Sequence, residues 1–162
     1  LSEIDAIGQS IRAEQKSVRD IIAALRRSEV TPGQRNLATE LSNLLASLGR
    51  HWQIEAQLLQ PPGAPVILPR ALIFELQQIV REAVANAVRH GGANEMILHL
   101  SDAGHQLTLA VSDNGTGFAA GEQNPMPRSI AERVALLGGT LAIVTRPGET
   151  RIEISLPTRG RT

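Results

Sequence analysis

Three polar side chains recur one helical turn apart in the stretch Ile79-Val-Arg-Glu-Ala-Val-Ala-Asn-Ala-Val-Arg-His90. Glu82, Asn86 and His90 stand at i, i+4 and i+8, so on a helix they share one face, with Arg89 at its edge. Between them lie Ala83, Val84, Ala85, Ala87 and Val88, small and apolar, which suits a helix that packs one side on a core and shows a polar stripe elsewhere. An amide oxygen, a carboxylate and a basic pair in one row can hold a hydrated Mg²⁺ and the phosphates it bridges, because Mg²⁺ takes oxygen ligands and keeps several waters. A second stretch answers the first. Ser112-Asp-Asn-Gly-Thr-Gly-Phe118 sets an acid, Asp113, at the end of an alternating run, and follows it with Gly115 and Gly117, whose backbone can pass close to a flat ligand.

Each residue also has a plainer reading. Asn86 could be a solvated helical side chain, although asparagine is a poor helix former and this one sits among alanines and valines. Glu82 could pair with Arg81 or Arg89, and His90 could answer the helix dipole. Asp113-Asn-Gly115 could belong to a tight hairpin turn, since Asn-Gly between strands is the usual signal. Against that, the residues after Gly117 do not alternate and run into a proline-containing loop.

In this order and separation the two stretches resemble the N box and G1 box of histidine-kinase ATP-binding domains, a group that also holds DNA gyrase B, Hsp90 and MutL. The resemblance is closest to sensor kinases of the NarL-partner type, which read E-A-x-x-N-x-x-K/R-H, then D-x-G-x-G-F, then an R-E-R-x-x-x-L-G-G helix. It covers residues 68–157 well and 1–60 loosely. It implies that Asn86 coordinates Mg²⁺ beneath the phosphates of ATP, and that Glu82, as the catalytic residue, orients a water on the metal or helps the phosphoryl acceptor lose its proton. It further implies that Arg89 and His90 meet phosphate oxygens, and that Asp113 accepts a hydrogen bond from the adenine amino group. Gly115 and Gly117 would allow close approach to base and phosphates, and Thr150 would lie near the adenine.

Two departures stand out. The second glycine box, usually Gly-Leu-x-Gly-Met-Arg-Glu-Arg, is here Met126-Pro-Arg-Ser-Ile-Ala-Glu-Arg133, followed by Leu137-Gly-Gly139. Ser129 replaces a glycine but can still offer its backbone N–H to phosphate at a helix start, whereas Pro127 has no N–H to offer. Glu149 stands where a glycine precedes the family's closing threonine.

The elements that must position these residues follow from periodicity. Ile4, Ile7, Ile11, Val18, Ile21, Ile22 and Leu25 predict a helix over 3–27, similar to the second helix of a dimerisation and phosphotransfer hairpin. Its phosphoacceptor histidine would lie on another helix, since no His-Asp pair occurs here. Leu37, Leu41, Leu44, Leu45 and Leu48 predict a helix over about 35–48 with Gly49 as its stop, and 51–58 reads as a strand. Pro69 in the first turn opens the central helix 69–90, which Gly91-Gly92 ends. Strands 95–101 and 106–113, a lid-like loop 119–127, a helix 128–137 and a hairpin of 140–145 with 151–156 complete the chain.

The expected architecture is a two-layer α/β sandwich, a mixed sheet with helices on one face, called the Bergerat fold. A helical segment 1–30 would precede a catalytic domain 31–162.

Composition narrows the function classes. Net charge is zero over 162 residues, which argues against a large basic surface for nucleic acid. Aromatics are 2%, so the core must come from the aliphatic share of the 42% hydrophobic residues. There is no cysteine for disulfides or thiolate chemistry, and neither a zinc pattern nor a Ser-His-Asp signature is present. No apolar run approaches the ~20 residues a membrane helix needs. The chain begins at Leu1 and shows no signal peptide, so it reads as a piece of a longer protein.

The resemblance then implies ATP with Mg²⁺, a phosphoacceptor helix of the same protein, a response regulator, a homodimer in the full-length protein and a cytoplasmic location without direct membrane contact by this piece. Two rival readings remain: a degenerate relative serving as a regulatory or dimerisation module, and a serine kinase of the same ATP-binding group.

Overall fold

The computed structural model describes residues 33–116 and 128–158. The predicted helix 3–27, the segment 1–30, Gly117, Phe118, the loop 119–127 with Met126 and Pro127, and the last four residues lie outside the described residues.

A short strand β1 (Gln34–Asn36) leads into helix α1 (Leu37–Trp52). Asn36 starts that helix: its side-chain oxygen accepts from the backbone N–H groups of Ala38 and Thr39 at 3.0 and 3.4 Å. Strand β2 (Glu55–Leu59) follows, then β3 (Ile67–Pro69), which pairs antiparallel with β1 in a two-stranded ribbon. Helix α2 (Arg70–Gly91) runs the length of the domain to a left-handed Gly92. After it come β4 (Glu95–Asp102), β5 (Gln106–Asp113), helix α3 (Arg128–Leu136), β6 (Thr140–Arg146) and β7 (Glu149–Pro157). The main sheet has the order β2-β4-β5-β7-β6, with only β2 and β4 parallel.

Register decides which side chains face the helices. Leu98 pairs with Val111 and Leu100 with Leu109; Leu109 pairs in turn with Ile154, and Val111 with Ile152. All six are at most 5% exposed, so this face is the core. Against it pack the leucines of α1, Leu72, Leu76, Ile79, Val80 and Val84 of α2, and Ile130 and Val134 of α3. Strand residues alternate in direction. Asp113, two beyond Val111, therefore belongs to the helix-facing set, as do Met96 and Thr150, its partners on the two neighbouring strands. The mixed sheet with helices against one face is the expected two-layer sandwich.

Helix α1 corrects two expectations. It does not stop at Gly49, and His51 and Trp52, predicted in a strand, belong to its last turn. The left-handed residue that ends it is Gln53, φ 56°, whose N–H bonds to the Gly49 carbonyl, as does that of Ile54 at 3.1 Å. Gly49 instead gives room for the returning chain, since a Cβ there would stand 3.1 Å from the Ile54 oxygen. Pro69 closes β3 and serves as the N-cap of α2.

Two polar attachments fasten the site-bearing ends. At the end of β5, Asn114 Oδ1 accepts from the backbone N–H of both Asn94 and Glu95 at 3.0 Å, while its amide donates to Asn94 Oδ1 at 2.6 Å. The Thr116 N–H bonds to the Gly91 carbonyl at 2.9 Å, so the turn after Asp113 is tied to the last residue of α2. Between helices, Arg133 of α3 donates to Glu75 of α2 at 2.7 Å, and the Glu75 side chain is only 5% exposed.

Replacing Asn114 by alanine removes three hydrogen bonds that are open to water, so the expected stability loss is modest, about 1 kcal/mol. Amide exchange should accelerate at Gly115 and Thr116 well before the sheet opens, as native-state hydrogen exchange would show. Glu75→Ala leaves the Arg133 guanidinium facing an emptied, largely buried place, and should destabilise by about 2–3 kcal/mol in urea unfolding. A Glu75→Ala/Arg133→Met cycle should return a favourable coupling of about 1–3 kcal/mol.

Candidate nucleotide-binding site

Asp113, the acid at the end of β5, is the first of the expected site residues. Asp113 is half-buried, and one carboxylate oxygen accepts the Gly115 N–H at 2.9 Å. Burial raises its pKa above the ordinary carboxylate value, and the Gly115 hydrogen bond partly opposes that rise. Thr150, opposite it on β7, is 5% exposed, and its hydroxyl oxygen is buried with no hydrogen-bond partner among the described residues. A buried hydroxyl is normally satisfied by protein or by water, so this one has capacity for a hydrogen bond with an outside polar group. A heterocycle carrying an amino donor next to a ring acceptor fits that pair. Gly115 is required by crowding: a Cβ there would lie 2.9 Å from both Asp113 Oδ1 and the Gly91 oxygen.

The α2 residues fall on the predicted face. Glu82 and Asn86 are half-buried, and Arg89 and His90 are exposed. The Asn86 side chain makes no hydrogen bond to another described residue. Among the described residues no group of three or more His, Cys, Asp or Glu side chains could hold a metal. A Mg²⁺ ion here would take one or two protein oxygens and fill its octahedron with phosphate oxygens and water, as this ion commonly does. The donor set therefore fits Mg²⁺ delivered with a nucleotide and does not form a closed protein cage.

Two predicted residues meet directly. The Ser129 hydroxyl, in the first turn of α3, donates to Glu82 Oε1. Thus Glu82 and Ser129 come together, as do Asp113, Gly115 and Thr150, and the Thr116–Gly91 bond joins the second group to the helix of Asn86. Arg89 turns elsewhere: its guanidinium lies 5.2 Å from the centroid of the Trp52 ring on α1. Phosphate contact by Arg89 would require it to leave that ring. His90 has no hydrogen-bond partner among the described residues, and Gly117 lies outside them.

Sequence reasoning missed Asn114, Glu75 and Trp52. Asn114 was visible only as half of a turn signal. Glu75 carried a clearer sign, a lone carboxylate with Leu72 three residues before it and Ile79 four after it on the apolar side of α2. A separate cavity of about 330 Å³ lies at the far end of the sheet, lined by the Pro61–Pro65 loop, Leu100, Leu107 and Thr158, and takes in none of these residues.

The comparisons with known proteins bear on the family and the fold. The model of the family described as histidine kinase-, DNA gyrase B- and HSP90-like ATPase matches residues 72–160, more than half of the chain. The sensor protein VraS of Staphylococcus aureus (strain COL) is 32% identical over 94 residues, covering 56% of this chain and 27% of the relative. The chain thus spans about a quarter of the length of the curated relatives it matches. Among solved structures, the ATP-binding domain of PrrB from Mycobacterium tuberculosis superposes with a TM-score of 0.62 at 24% identity, over 80% of this chain and 97% of that one. The blue-light activated histidine kinase EL346 of Erythrobacter litoralis gives 0.64 at 19% identity, over 97% and 59%. ShkA, solved full-length in complex with AMPPNP, gives 0.59 at 18% identity, over 99% and 39%. With the match to the family model extending from the start of α2 through β7, the chain belongs to the histidine kinase-, DNA gyrase B- and HSP90-like ATPase family.

Proposed function

We propose that this chain is the ATP-binding catalytic domain of a two-component sensor histidine kinase of the NarL-partner type. In this reading it transfers the γ-phosphoryl group of ATP to a histidine on a phosphoacceptor helix of the same protein, from which the group passes to a response regulator. The observation that carries the reading is the buried Thr150 hydroxyl, without a hydrogen-bond partner among the described residues, beside the half-buried Asp113 carboxylate. That pair offers an acceptor to the amino group of adenine and a hydroxyl to its ring edge. Guanine presents a carbonyl oxygen where adenine presents the amino group, so a carboxylate repels it.

Asn86 holds the metal side of the nucleotide, and Mg²⁺, when bound, neutralises phosphate charge. Glu82 stands one turn before Asn86 and accepts or directs the proton of the phosphoacceptor. Arg89 and His90 supply positive or hydrogen-bonding groups at the phosphate end, Arg89 after exchange from Trp52. Positioning and charge neutralisation account for most of the rate in such transfers. The remaining proposals, a homodimer in the full-length protein and a cytoplasmic location, rest on the likeness to sensor kinases. Among the described residues no helix is long and apolar enough to cross a membrane.

Calorimetric titration with ATP and Mg²⁺ should saturate between micromolar and low millimolar concentrations. Asp113→Ala and Asn86→Ala should each weaken binding by about 10-fold or more, and GTP should bind correspondingly worse than ATP. Absence of saturation in a folded sample would leave the degenerate, regulatory reading. Because the ionised carboxylate is the better acceptor, affinity should be full above the raised pKa of Asp113. It should fall as the pH drops through that value, at a pH higher than an ordinary aspartate would set. Asp113→Asn should bind more weakly at neutral pH and lose this acid-side decline, which the same titration at several pH values reads.

A further inference from the structure

In the second glycine box Ser129 stands where the family has glycine, and its hydroxyl reaches across to Glu82 of α2. We propose that Ser129 is a positioning residue for Glu82, holding one carboxylate oxygen so that the other faces the reacting phosphoryl acceptor; this rests on the kinase reading above.

A half-exposed glutamate with free rotamers spreads its carboxylate over several directions. A hydroxyl donor fixed in space removes most of that freedom. Fixation is what α3 supplies. Ile130 and Val134 on its buried side are 0% and 1% exposed. Arg133, one turn beyond Ser129, donates to the buried Glu75 at 2.7 Å. Glu75 and Glu82 lie seven residues apart on α2, two turns on one face. The two links, Arg133 to Glu75 and Ser129 to Glu82, therefore hold α3 at two points along α2. The donor also leaves capacity on its acceptor. Ser129 contacts Oε1, and a carboxylate with a second oxygen can still accept a proton or a water.

A glycine at 129 could offer only its backbone N–H to a ligand. The serine retains that N–H and adds a hydroxyl aimed at the catalytic carboxylate. The replacement thus supplies an orienting group for the acid–base side of the reaction.

The test uses the kinase carrying this domain together with its phosphoacceptor helix, with γ-labelled ATP and Mg²⁺. Ser129→Ala should lower kcat for histidine phosphorylation about 10-fold and leave the KM for ATP within about 2-fold. Ser129→Thr, which keeps the hydroxyl, should recover most of the rate, and Ser129→Gly should behave like alanine. In a Glu82→Gln background, Ser129→Ala should cost nothing further. An unchanged kcat in Ser129→Ala would overturn the proposal, as would a rate loss in which KM rises in step, because that is the mark of a phosphate contact. Additive losses in the double variant would overturn it too. If the wild-type kinase itself labels no histidine, the proposed function fails before Ser129 is in question.

Discussion

A carboxylate facing the helices at the end of an otherwise apolar row is the constraint around which the domain is built. Asp113 continues the series Leu107, Leu109 and Val111 on the helix-facing side of β5. Its charged form is disfavoured by that burial, and among the described residues the Gly115 N–H partly compensates. Its pKa is raised by folding, so the native state binds a proton more tightly than the unfolded chain does. Stability therefore declines as pH rises from the unfolded pKa through the raised one. At neutral pH the domain carries a cost at this position. The cost is understandable if a ligand's amino group completes the carboxylate's partners. The neighbouring Thr150 hydroxyl points to the same conclusion from the opposite strand.

What makes one acid into a site is its attachment to a helix that approaches from elsewhere in the chain. Asn114 clips the end of β5 to the start of β4, and Thr116 bonds to the last residue of α2. Five residues back from that point lies Asn86. The Asp113 end of β5 is thus joined to the Asn86 face of α2 through short covalent and hydrogen-bonded paths. Further back along the same face of α2, the Glu75–Arg133 pair and the Glu82–Ser129 link hold α3 in place. Helix α2 is the common member of both attachments.

Much of this was legible in the residues. The four-residue spacing of Glu82, Asn86 and His90 fixed their shared face, and alternation in 106–113 fixed which way Asp113 points. Helix and strand assignments held where periodicity was long, as in α2, β4 and β5. They failed where a local signal had two physical meanings. Gly49 looked like a helix stop, but its role is to let the chain after Gln53 pass close by. Trp52 and His51 looked like the start of an alternating strand, yet both sit in the last turn of α1, edge to face at 4.9 Å. The ribbon of β1 and β3 has only three residues per strand, too few for a period to show. Side-chain contacts between distant segments carry no periodic trace at all. The Ser129–Glu82 and Arg133–Glu75 links, and the stacking of Arg89 on Trp52, emerge only when α1, α2 and α3 are assembled.

The central claim is that the Asp113–Thr150 pair and the Asn86 face of α2 bind opposite ends of one nucleotide. Amide chemical-shift perturbation on adding a non-hydrolysable ATP analogue with Mg²⁺ tests it most directly. The account predicts coupled shifts, with one common titration midpoint, at Asp113, Gly115, Thr150 and the Glu82–His90 turns of α2. Shifts confined to the cavity beside Pro61–Pro65, or to one of the two groups alone, would contradict it.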